Sequence, residues 1–132
     1  MNLNPTFLSL SEVLEIHRDQ IERYGGDPGL RDLELLQSAL AMPAAGFGGR
    51  YLHNDLYKMA AAYLFHITQN HPFVDGNKRT GVVGTIVFLF LNGIEVDADE
   101  KDLERIVLGV AEGKVGKDAV AEFFRHNCRM RQ

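Results

Sequence analysis

Residues 71–81 read HPFVDGNKRTG, and residues 82–91, VVGTIVFLFL, follow without a single charge. How this junction is read decides the fold. From Lys78 or Arg79 to Leu91 the segment is apolar nearly all round, the pattern of a helix enclosed by protein rather than laid on a surface. This helix is expected to be the buried centre of the molecule, ended by Asn92-Gly93. The quoted run is then its entrance. The first N–H groups of a helix have no acceptor within it, and the macrodipole adds partial positive charge, so such an entrance attracts anions.

The rest of the chain also reads as helices. Asn54 or Asp55 can cap a helix whose stripe is Leu56, Met59, Ala60, Tyr63, Leu64 and Ile67, running to about Gln69. Before it, Ala44 to Tyr51 holds Gly46, Gly48 and Gly49 and suits a loop or a short hairpin. Leu33, Leu35, Leu36 and Leu40 mark a helix closed by Pro43 and preceded by the turn residues Asp27-Pro28-Gly29. Ser9 and Glu12 form a capping box for a helix over 10–24, stopped by Gly25-Gly26. Beyond Asp97, amphipathic helices are expected near 99–111 and 117–126. The fold class is therefore all-α: a compact bundle of about six helices around a buried central helix, with one short flap loop or hairpin, in a single domain over 1–132.

A chain of 132 residues with 45% apolar and 24% charged residues can bury a core without disulfide or metal support. Its formal net charge of −4 gives no broad basic surface, so direct nucleic-acid binding is not expected. The lone Cys128 fits a reducing, cytoplasmic home. Met1 to Leu10 lacks the basic start and apolar run of a signal peptide, and the apolar run Val82 to Leu91 is too short to span a bilayer, so no membrane partner is expected.

The chemistry concentrates at the helix entrance. Gly76 lets backbone approach a ligand closely, and Lys78 and Arg79 add full positive charge beside the free amides, where Arg79 could grip two phosphate oxygens. Asp75 would repel a phosphate unless a divalent cation lay between them, and magnesium suits one carboxylate plus phosphate oxygens. His71 can accept a proton from a hydroxyl near neutral pH. Each residue also has a plain structural reading: His71 as a helix C-cap, Asp75 or Asn77 as an N-cap, Lys78 and Arg79 as solvated charges, Phe73 as a core anchor. Their joint presence at the mouth of an apolar helix favours a site. His17, His53, His66 and His126 show no ligand spacing and are read as structural.

HPFVDGNKRTG resembles the signature of the Fic/Doc superfamily, HPFxx[G/A]N[G/K]Rxx, and Lys78 matches the death-on-curing branch, where most Fic enzymes have glycine. RYGGDPGLRD at 23–32 and LLQSALAMP at 35–43 are similar to the same branch, so the resemblance covers nearly the whole chain. It implies His71 as general base, Asp75 as magnesium ligand, Gly76 and Asn77 as the anion nest, and Lys78 and Arg79 as phosphate ligands, with ATP as substrate. Fic enzymes mostly transfer AMP to a protein hydroxyl, whereas the death-on-curing toxins transfer the γ-phosphate of ATP to a threonine of elongation factor Tu and arrest translation. AMP-transferring members usually carry a second arginine at the position held here by Val82, so the resemblance favours the kinase reading over AMP transfer or a non-catalytic binding module. It implies a flap at Gly46 to Leu52 that aligns the target. No inhibitory [S/T]xxxE[G/N] helix is complete, since Ile16 follows Ser11 and Glu15. A separate Phd-like antitoxin is implied instead, docking on the first helix or the turn from Gly25 to Leu30 and covering the site.

Overall fold

The computed structural model describes residues 4–131. Met1 to Leu3 and Gln132, the two ends of the expected single domain over 1–132, lie outside the described residues. Six helices account for most of the described chain: α1 Leu10–Tyr24, α2 Leu33–Ala41, α3 Leu56–Asn70, α4 Asn77–Leu91, α5 Glu100–Ala111 and α6 Lys117–His126. Their starts follow local chemistry. Ser9 and Glu12 close a reciprocal capping box on α1, and the carboxylates of Asp32, Asp55 and Asp99 accept from amides in the first turns of α2, α3 and α5. Residues 44–51 form a hairpin, with β1 Gly46–Phe47 paired antiparallel to β2 Arg50–Tyr51.

The helix at the centre is α3, which corrects the expectation that residues 78–91 hold that place. Met59 to Leu64, Ile67 and Thr68 of α3 are buried, whereas α4 leaves Phe90 47% and Leu91 41% exposed at its far end. Absence of charge did not distinguish the two, because a half-covered apolar face reads like a fully covered one. Small side chains explain the packing. A Cβ on Gly81 of α4 would meet Leu64 Cδ1 at 3.3 Å and Thr68 Oγ1 at 3.1 Å, and Thr85 Oγ1 donates to the Ala60 carbonyl at 3.2 Å. Glycine and threonine on α4 against Ala60 and Leu64 on α3 bring the two backbones close together. The core then spreads from α3 to Val13, Leu36, Phe88, Val110, Val120 and Phe124, drawn from each of the other five helices.

One element has no local signature. β3 Ile94–Val96 pairs antiparallel with β4 Cys128–Met130, in the register Ile94↔Met130, Glu95↔Arg129 and Val96↔Cys128. Each strand has only three residues and its partner lies far away in sequence, so neither shows a period that a sequence reading can detect. The pairing ties the chain after α6 to the exit of α4.

Candidate active site

The connection from α3 to α4 is short and held at every point. His71 caps α3 with φ 51° and ψ 53°, and no other non-glycine residue among those described has positive φ. This left-handed geometry is unfavourable for a residue with a Cβ, so surrounding contacts must maintain it. Arg31 supplies two: its Nε donates to the His71 carbonyl at 2.7 Å and its Nη2 to the Asn70 carbonyl at 2.9 Å. The N–H groups of Arg31 and Asp32 both donate to the Pro72 carbonyl, and Val74 N–H donates to Gly29, giving a bridge between Leu30 and Phe73. The turn after α1 therefore carries the loop that carries His71.

Phe73 is fully buried, as a core anchor should be, and its ring lies flat on the imidazole of His17, with centroids 3.7 Å apart and planes within 7°. The Asn77 side chain is buried and folds back on Phe73, with its Oδ1 accepting from Phe73 N–H and its Nδ2 donating to the Phe73 carbonyl, each at 2.9 Å. Asn77 can thus offer an incoming anion only its backbone N–H.

Gly76 is the N-cap of α4, in the left-handed region at φ 80°, and it brings no side chain to cap the helix. A Cβ there would stand 3.2 Å from Ile21 Cδ1, a second reason for glycine. The first helical amide to find a backbone acceptor is Thr80, on the Gly76 carbonyl at 2.9 Å. The helix thus begins at Asn77, slightly earlier than its charge pattern suggested, and the N–H groups of Asn77, Lys78 and Arg79 have no backbone acceptor among the described residues. No acidic residue sits in that first turn. Three free amides at the positive end of a four-turn helix are the kind of surface that can accept an anion without any side chain.

A cleft of about 190 Å³ lies at this helix start, lined by Thr68, His71, Val74, Asp75, the residues from Gly76 to Arg79, and Ala111 of α5. All six residues singled out in the sequence line this one cleft. His71, Asp75 and Lys78 are exposed to it. Asp75 Oδ1 accepts from Gly76 N–H at 2.8 Å. The Arg79 guanidinium is turned toward the end of α1, donating to the Gln20 carbonyl at 3.3 Å and the Gly25 carbonyl at 3.1 Å, and it lies 4.0 Å from Asp75 Oδ1. It also sits 5.7 Å from the Tyr24 ring centroid. Two contributors were not legible beforehand. Arg31 and His17 hold the loop from outside it, and the only sequence sign of either was Arg31's place in RYGGDPGLRD.

The HPFVDGNKR run that joins α3 to α4 in this helical bundle carries the motif of Fic-type proteins. The family described as "Fic/DOC family" matches residues 7–89, from the segment before α1 into the last turn of α4, and the chain belongs to it. The chain is similar to "Protein kinase doc" of Escherichia phage P1, with 31% identity over 118 residues, covering 89% of this chain and 92% of that protein. It is also similar to "Toxin Doc" of Mycolicibacterium smegmatis, with 41% identity over 76 residues, 58% of each chain.

Proposed function

We propose that this chain is a Doc-like toxin that transfers the γ-phosphate of ATP to a hydroxyl of a protein target. The observation that supports it best is the open start of α4, whose first residues, with their amides free, line the same cleft as His71. The terminal phosphates of ATP would rest on the N–H groups of Asn77, Lys78 and Arg79, with the Lys78 ammonium adding charge from the rim. Arg79 contributes its own guanidinium once it leaves the Gln20 and Gly25 carbonyls. His71 accepts the proton of the target hydroxyl. The hydroxyl oxygen then forms its bond to the γ-phosphorus, the bond from that phosphorus to the β–γ bridging oxygen breaks, and ADP departs with the electron pair.

The residues fit a magnesium ion. Asp75 is a carboxylate with half of its side-chain surface exposed, beside the uncapped start of α4, and it would repel a phosphate held there unless a divalent cation lay between the two. Asp75 would hold the ion, which when bound neutralises phosphate charge. The chain's own part is to fix that carboxylate: one oxygen takes the Gly76 N–H, and the other lies against Gly26.

Val82 separates the kinase reading from AMP transfer. Its side chain is half-buried against the core and puts no second cation near the cleft. The kinase name of the phage P1 relative points the same way. The resemblance of HPFVDGNKRTG to the death-on-curing branch supports a threonine of elongation factor Tu as the target, arrest of translation in the cytoplasm as the consequence, and a Phd-like antitoxin as the controlling partner. Tyr24 and Leu30, 69% and 42% exposed on the end of α1 and the following turn, are apolar anchors for such a segment beside the site.

The test uses labelled ATP in a lysate and on purified target. Label transferred only from the γ position supports the kinase, only from the α position indicates AMP transfer, and neither indicates a binding module. His71→Ala should reduce transfer by about 10²-fold or more with an unchanged circular dichroism spectrum.

A further inference from the structure

The peptide unit between Asp75 and Gly76 is held at both of its polar ends. Its N–H, on Gly76, donates to the Asp75 carboxylate at 2.8 Å. Its carbonyl, on Asp75, is 2.8 Å from His17 Nε2, on a helix 58 residues earlier in the chain. A carbonyl only accepts, so His17 Nε2 carries the hydrogen in that bond. The imidazole has little freedom to do otherwise, since it is only 4% exposed and clamped flat against Phe73.

We infer that His17 is a positioning residue: its Nε2–H fixes the orientation of the Asp75–Gly76 peptide, and through it both the Asp75 carboxylate and the free amides that follow. This deepens the reading of the cleft as a Mg·ATP site and rests on it. The geometry gives the reason. Rotation of this peptide would turn Gly76 N–H away from Asp75 Oδ1 and release the carboxylate. It would also change ψ of Asp75 and φ of Gly76, the torsions that lead into the first turn of α4. Gly76, at φ 80° and without a Cβ, offers little resistance of its own to that rotation. An external donor is needed, and the structure provides one. Stacking alone would not require a histidine, because phenylalanine could cover Phe73 equally well.

The test compares His17→Gln, His17→Asn and His17→Phe for binding of a non-hydrolysable ATP analogue, by calorimetry with and without magnesium, alongside thermal melts. Glutamine can place an N–H close to where Nε2 sits, whereas asparagine is shorter, and both lose the ring, so the loss of stacking cancels between them. His17→Gln should bind the analogue with magnesium within about threefold of wild type. His17→Asn and His17→Phe should bind at least tenfold more weakly with magnesium, and show a much smaller loss without it. Equal binding by the Gln and Asn variants, at any level, would overturn the positioning role, as would wild-type binding by His17→Phe. That comparison stands even if His17→Phe fails to fold. A wild-type chain that binds no analogue would instead overturn the Mg·ATP reading itself.

Discussion

Arg31 and His71 lie 40 residues apart, and the Arg31 Nε donates to the His71 backbone carbonyl at 2.7 Å. With the Asn70 carbonyl taken by Nη2 of the same guanidinium, one side chain occupies two carbonyls at the end of α3, where the helix dipole favours a cation. Arg31 thereby helps maintain the left-handed backbone of His71. Arg31→Ala should lower folding stability by about 1–2 kcal/mol, as expected for charge-assisted bonds at an exposed position. On the proposed function, in which His71 is the general base, the rate of γ-label transfer should fall more than that loss implies, by about tenfold, because the imidazole loses its fixed backbone. Arg31→Lys, with a single ammonium in place of the fork, should recover only part of the rate. Denaturant titration and initial rates check the two quantities separately.

A second cluster lies outside the cleft and gives a pH prediction. Lys117 Nζ is 3.1 Å from His66 Nε2 and 3.4 Å from His53 Nε2. Burial pushes His66 down to about 4 from the ordinary 6.5, and the neighbouring Lys117 charge, then His53, push the same way. The folded state therefore binds fewer protons than the unfolded state between pH 6.5 and 4. His66's contribution to stability is present in full above 6.5 and is lost as pH falls through that window. Allowing for the partial exposure of the ring, the loss is about 1–2 kcal/mol. His66→Gln should show a shallower decline of melting temperature across that window than wild type. Parallel curves would remove His66 from the account.

Tyr63 joins the bundle to the segment before α1. Its hydroxyl accepts from Leu8 N–H at 2.9 Å, and both residues are buried. Burial raises the phenol to about 12, so it stays protonated throughout the ordinary pH range. Tyr63→Phe leaves a buried amide without its acceptor and should lower stability by about 1–2 kcal/mol. Guanidinium titration followed by circular dichroism would measure this, with the slope of the transition unchanged.

The parts of this structure that were legible in the sequence are those with local causes. Ser9 with Glu12, Asp55, Gly25 and Asn92 set helix ends through their immediate neighbours, and HPFVDGNKRTG gathered one set of cleft residues because they share a single turn of chain. What was not legible depends on residues brought together from afar. His17 reads as an ordinary helix residue until Phe73 and Asp75 are placed beside it, and β3 gains meaning only from β4. The choice between α3 and α4 as the central helix turned on which of them has other helices on more sides, a relation among segments rather than a property of either.

Gly26 makes the last prediction, because it touches the carboxylate that the proposed function depends on. At φ 120° it occupies backbone space that a residue with a Cβ rarely enters, and an added Cβ would lie 2.6 Å from Asp75 Oδ2. Gly26→Ala should therefore combine backbone strain of about 1–3 kcal/mol with displacement of the Asp75 side chain. Neighbouring Gly25 serves as the control. Its φ is 84°, and an added Cβ would meet nothing within 4 Å, so Gly25→Ala introduces strain alone. Both variants should lose stability in a denaturant titration. Only Gly26→Ala should raise the magnesium concentration needed for half-maximal binding of an ATP analogue, because only there is the carboxylate pushed aside. If the two variants lose stability to a similar extent and share the wild-type magnesium requirement, Asp75 is not the residue that holds the ion.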